Sequence, residues 1–170
     1  MKVAQIIGRI LAWINLICWG IPIVSFLLGT LVSFNMTLVV PAVLLASIPL
    51  HSYAALKLQK SLRHPEIKLN QQTPVGIRFV GLIALFIGIL MVFISAGGLG
   101  ITKELLPKIK EQMAEFGQGD TSAWTVGDLR ELLIFYLFLG LAVVASVLIH
   151  LRLLRWYFLV KQSDVSGTND

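Results

Sequence analysis

Four stretches of this chain contain no Asp, Glu, Lys or Arg: 25 residues from Ile10 to Phe34, 22 from Asn35 to Leu56, 24 from Phe79 to Thr102 and 20 from Leu132 to Leu151. A hydrocarbon core about 30 Å thick is crossed by about 20 apolar helical residues, so each stretch is long enough alone. A backbone in lipid has no water to bond to, and an α-helix satisfies its own groups. The alternation of a β-barrel strand is absent, so the stretches read as helices. Of the 170 residues 56% are apolar and only 14% charged, and the mean hydropathy is +0.83. A soluble domain uses about 25% charged residues. This composition excludes a soluble enzyme and a disordered chain. A single cysteine, Cys18, excludes a disulfide scaffold and an intrachain redox pair.

The expected fold is all-α: an integral membrane four-helix transmembrane bundle, one domain over 1–170, with spans at about 7–28, 37–58, 75–97 and 130–154. Gly29-Thr30 and Ser33-Phe34-Asn35 are the turn-like residues between the first two spans. The first span is too long for a cleaved signal peptide, contains Trp13, Asn15 and Trp19, and is followed by no small-residue cleavage site, so it reads as a retained anchor. Lys and Arg then give a direction. The N-terminal flank, the loop at 59–74 with its borders and the tail at 157–170 with its border hold ten basic and three acidic residues, a net +7. The loop at 98–129 with its borders holds four basic and six acidic residues, a net −2. Both termini and the basic loop are expected in the cytoplasm, with 98–129 outside the membrane. The pI of 9.6 then reflects bases beside helix ends, where they attract anionic headgroups at about 1 kcal/mol each. It is not a nucleic-acid footprint. The expected location is a cell membrane, in layout similar to small bacterial inner-membrane proteins.

Each span carries a packing signal. In the third, Gly81, Gly88 and Ser95 recur every seven residues, with Ala84 completing a small-xxx-small pair with Gly88. Such a stripe lets a second backbone approach, either within the chain or in a homodimer. Thr73-Pro74 reads as the start of that span. Pro49 in the second span removes a backbone bond, frees the Leu45 carbonyl and predicts a kink. The fourth span begins with Thr125-Val126-Gly127-Asp128, a capping box with Asp for the usual Glu or Gln, flanked by Trp124 and Leu129 as a hydrophobic staple. Trp156-Tyr157-Phe158 read as an aromatic belt. In the outer loop, Ile101, Leu105, Leu106, Ile109, Met113 and Phe116 fall at helical spacing, which predicts an amphipathic helix for a leaflet surface or a protein partner. Gly97-Gly98-Leu99-Gly100 before it reads as a hinge, and Pro107 as a start or a kink.

Chemistry is sparse. No acidic or basic residue lies deep in a span, which argues against coupled ion transport and voltage sensing. No H-E-x-x-H, G-x-S-x-G, P-loop or dinucleotide fingerprint is present, so no cofactor is expected. Gly117-Gln118-Gly119-Asp120 matches a pattern of intramembrane aspartyl proteases but lies in a polar loop without a second intramembrane Asp. Tetraspanins also have four spans, but their outer loop needs paired cysteines. One constellation remains: Asn15, His51 and His150, each a few residues inside a basic flank. These are suited to a quinone headgroup or a proton, or simply to bonding a neighbouring helix. Two His are too few for a metal site. The reading is a non-enzymatic accessory, regulatory or structural membrane component, with a homo-oligomer or a membrane protein as partner. The alternatives are an oligomeric channel or transporter subunit for apolar or lipidic solutes, and a membrane enzyme or electron carrier using His51 and His150.

Overall fold

Five α-helices account for the described secondary structure, and no strand occurs among the described residues. The computed structural model of the chain describes residues 2–33, 39–64, 66–67, 69–70, 72–115 and 124–166. The helices are α1 (Lys2–Ser33), α2 (Val39–Arg63), α3 (Gln72–Gly100), α4 (Thr102–Glu115) and α5 (Val126–Ser166). Four contain segments long and apolar enough to cross a membrane: 28 residues over Lys2–Gly29, 25 over Val39–Arg63, 29 over Gln72–Gly100 and 35 over Val126–Val160. Side-chain polarity is reversed relative to a soluble protein. Ile21, Phe86 and Phe93 are 66–72% exposed, whereas Asn15, Ser47, His51, Ser52, Ser146 and His150 are 4% exposed or less. That distribution suits a hydrocarbon solvent. The chain is a membrane-embedded helical protein.

Two compact units divide the chain, Met1–Ile87 with Ala142–Asp170, and Gly88–Leu141. In the first unit, α1 places Gly8, Ala12, Asn15, Trp19 and Ile23 on one buried stripe at steps of three and four, and packs along α2. Leu58, Ile77, Leu153 and Leu154 form a buried apolar core with Ala54, Leu62 and Phe158 against it. Lipid tails are as apolar as leucine, so this packing is favoured by dispersion rather than by release of water. In the second unit, Gly140 brings two backbones together. A methyl group on its Cα would lie 3.0 Å from the Gly88 carbonyl oxygen and 3.0 Å from Val92 Cγ2. Gly98 makes similar room, its added methyl falling 3.2 Å from Leu133 Cδ1 and 3.5 Å from Leu105 Cδ2. Along α4, Leu105, Leu106, Ile109 and Met113 are half-buried, and Lys103, Glu104, Lys108 and Glu111 are exposed.

Several ends differ from expectation, because these helices continue past the hydrocarbon length. α1 runs through Gly29-Thr30 to Ser33, so those residues are helical; Phe34 and Asn35 lie outside the described residues. α2 runs to Arg63, so the loop expected from 59 begins later. Lys60 and Arg63 in its last turn favour that extension by opposing the helix dipole. α3 begins at Gln72, ahead of Thr73-Pro74, where Asn70 Oδ1 accepts from the Gln72 N–H at 3.1 Å. The glycines at 97–100 are helical rather than a hinge, and only Ile101 separates α3 from α4. There the Leu105 N–H donates to the Ile101 carbonyl at 2.9 Å, and Thr102 Oγ1 donates to the Leu99 carbonyl at 3.0 Å. Pro107 lies inside α4, Pro49 inside a continuous α2 and Pro22 inside α1. α5 extends through the expected tail to Ser166. At its start the Thr125 N–H donates to Asp128 Oδ2 at 2.8 Å, and the Asp128 N–H to Thr125 Oγ1 at 3.3 Å, the two bonds of a capping box.

The close approach at Gly140 sets a test. Gly140→Val is expected to lower stability by about 1–3 kcal/mol, because the added atoms meet backbone that cannot yield. Gly20, with nothing within 4 Å of a methyl at its Cα, should accept Ala without loss. Thermal melts of the two variants in detergent, followed by circular dichroism, check both outcomes.

Candidate functional site

Among the polar residues of α2, Ser47, His51, Ser52, Gln59 and Ser61 are buried. Ser47, His51 and Gln59 are spaced by four and eight, within one helical stripe. Ser146 and His150 are one turn apart on α5 and are fully buried. The two elements meet in the first unit, where the His51 and His150 rings are edge to face with centroids 5.7 Å apart.

His150 is fully engaged. Its Nδ1 lies 2.6 Å from the Ser146 carbonyl oxygen, which can only accept, so Nδ1 carries the proton. Nε2 then accepts from Gln59 Nε2 at 2.8 Å. Ser146 Oγ sits 3.4 Å from Nδ1. This arrangement satisfies both nitrogens of a neutral imidazole. His51 differs: neither ring nitrogen has a hydrogen-bond partner. The Ile77 carbonyl lies near its ring but outside hydrogen-bond geometry. Ser52, its neighbour, donates back to the Ile48 carbonyl at 2.9 Å.

Two glycines close the cluster. A methyl on Gly81 of α3 would lie 2.8 Å from His51 Nδ1 and 3.6 Å from Val147 Cγ1. A methyl on Gly8 of α1 would lie 3.0 Å from Ile149 Cγ2, 3.1 Å from Gln59 Nε2 and 3.2 Å from His150 Nε2. Helices α1, α2, α3 and α5 thus all contribute to one packed polar centre. Chemically it offers little. Both nitrogens of His150 are occupied, so of the two histidines only His51 has an unpaired ring, and among the described residues no three His, Cys, Asp or Glu lie close enough together to hold a metal ion. The arrangement acts as interhelical polar glue, worth about 0.6 kcal/mol per hydrogen-bonded pair in a membrane.

Asn15 is 1% exposed, but its Oδ1 bonds to nothing, so it joins neither histidine. Within the first unit Gly81 faces His51 and Ala84 is fully buried. Within the second, Gly88 presents its carbonyl to Gly140 and Ser95 is 2% exposed. These four small residues are therefore buried within the chain. Leu105, Ile109 and Met113 lie on α4; Phe116 lies outside the described residues, as do Gly117–Asp120. Reasoning from sequence missed Gly8, Gln59 and Ser146. Gln59 fell beyond the expected end of the span, and its signal was a two-turn offset from His51. Ser146 was marked by its one-turn offset from His150.

The steric pairing of His51 with Gly81 predicts a coupled pair. Gly81→Ala alone is expected to cost about 1–3 kcal/mol. In a His51→Ala background the same substitution should cost much less, because the ring it would strike is gone. A double-mutant cycle on thermal stability in detergent measures the coupling, and additive costs would show that the contact carries no strain. No protein-family model, no curated protein and no solved structure matches this chain.

Proposed function

We propose that this chain is a non-enzymatic accessory or regulatory component of a cell membrane, working through contacts with another membrane protein or with further copies of itself. The observation that carries the reading is the packed polar centre. His51, Ser52, Ser146 and His150 are 0–1% exposed, and Gly8 and Gly81 bring neighbouring helices to within contact distance of them. A transport path or a substrate site would need room beside those polar groups. Contact with partners then falls to exposed surfaces. On α3, Phe79, Phe86 and Phe93 recur every seven residues and are 66–72% exposed. On α4, apolar and charged residues separate toward an interface. In this reading α4 lies outside the membrane, and both termini and the basic loop lie in the cytoplasm, by the distribution of Lys and Arg.

Purified in mild detergent, the protein is expected to run as an assembly heavier than a monomer, and reconstituted liposomes should show no more solute flux than protein-free ones. A monomer without any associated protein, or flux that depends on the chain, would overturn the proposal. Orientation is tested separately, with Cys18→Ser as background. Glu131→Cys is expected to react with a membrane-impermeant maleimide on intact cells, and Glu66→Cys only after lysis. The reverse pattern would invert the topology.

A further inference from the structure

Two adjoining crevices open in the first unit between the N-terminal turns of α1 and the C-terminal turns of α2. One, of about 280 Å³, is lined by Arg9, Gln59, Lys60 and Arg63 with Leu56 and His64. The other, of about 270 Å³, shares Gln59 and Arg63 and adds Lys2, Gln5 and Ile6. Four cationic residues from two helices therefore line crevices that share one buried amide. Among the described residues, none of the four has a carboxylate within ion-pair distance. Glu66 turns instead to His64, 3.2 Å from its Nδ1.

The geometry points to a binding site for the phosphodiester headgroup of an anionic glycerolipid, clamped between Arg9, Lys60 and Arg63 with Lys2 at its edge. Charge-assisted hydrogen bonds from arginine suit phosphate oxygens, often two at a time. Each crevice is smaller than the sites that enclose drug-sized ligands, about 300–1,000 Å³, which suits a headgroup. Lipid rather than soluble phosphate follows from the walls. Leu56 and Ile6 line the crevices, and Val3, Ile6, Ile10 and Tyr53 on the same helices are more than half exposed, an apolar surface along which acyl chains can lie. A zwitterionic headgroup would bring a quaternary or primary amine to these four cations and is disfavoured. Gln59 lines both crevices, and its Nε2 is held by His150, so the amide is anchored before any lipid arrives. The inference rests on membrane embedding and is independent of the accessory role.

Native mass spectrometry of the full chain in detergent, with short-chain phosphatidylglycerol or phosphatidylcholine added, tests the site. The expected result is preferential retention of phosphatidylglycerol. It should weaken by at least about tenfold in Arg9→Gln/Arg63→Gln, and likewise in the second pair Lys2→Gln/Lys60→Gln. The control pair Lys57→Gln/Arg152→Gln removes the same charge from residues outside both crevices and should stay within about twofold. Lys57 lies over the Tyr53 ring, 4.6 Å from its centroid. Equal weakening in the control pair would reduce the effect to general surface charge and overturn the site. Displacement of the lipid by an equal concentration of inorganic phosphate would overturn the lipid assignment. Size-exclusion profiles matching the unmodified protein establish that both test pairs are folded.

Discussion

Inside hydrocarbon, a polar group can bond only to the protein itself, and the arrangement of the buried side chains follows from that restriction. Ser25 and Ser52 return their hydroxyls to carbonyls one turn back, Ile21 and Ile48. His150 divides its two nitrogens between its own helix and α2. Pro22 and Pro49 remove the donors that the Cys18 and Leu45 carbonyls would have met. The restriction is not obeyed throughout. Asn15 Oδ1, Trp19 Nε1, Ser47 Oγ and both nitrogens of His51 are buried without hydrogen bonds. Each is a cost that the surrounding packing must offset.

That packing is organised by where side chains are missing. Gly8 and Gly81 admit the Gln59–His150 pair and the His51 ring. Gly140 and Gly98 do the same for their neighbours in the second unit, admitting a backbone carbonyl in one case and a leucine in the other. Gly20, Gly29, Gly97 and Gly100 face open space and serve no such purpose. Close approach matters more in lipid than in water, because dispersion between well-fitted surfaces replaces the hydrophobic drive. Arg78 illustrates the boundary of this regime. Its guanidinium carbon lies 5.7 Å from the centroid of Phe158, where a cation can rest on an aromatic face while its charge stays near the headgroups.

The helices were legible because lipid imposes a length and forbids charge, and four uncharged stretches answer to both. Their ends were less legible. Nothing in the hydrocarbon rule stops a helix once it leaves the core, so α2 continues through Lys60 and Arg63, and α5 into the expected tail. The glycine run at 97–100 suggested a hinge by soluble-protein habits, yet α3 remains helical through it. The pairing of His51 with His150 was readable as a possibility from depth alone. The role of Gln59 was not, because it stands among lysines, beyond the uncharged stretch that marked the span. Which of several small residues would receive a ring depends on helix rotation, and rotation is set by neighbours rather than by a helix's own sequence.

The hydrogen bond from Gln59 to His150 joins residues 91 positions apart. At ribosomal rates of about 5–20 residues per second, α2 waits on the order of ten seconds before its partner on α5 exists. Throughout that interval its His51 and Gln59 side chains lack the helix that carries His150. The mature packing is therefore a late event in biosynthesis. The nascent first three helices must be sheltered by the insertion machinery, by lipid headgroups or by one another until the final span arrives.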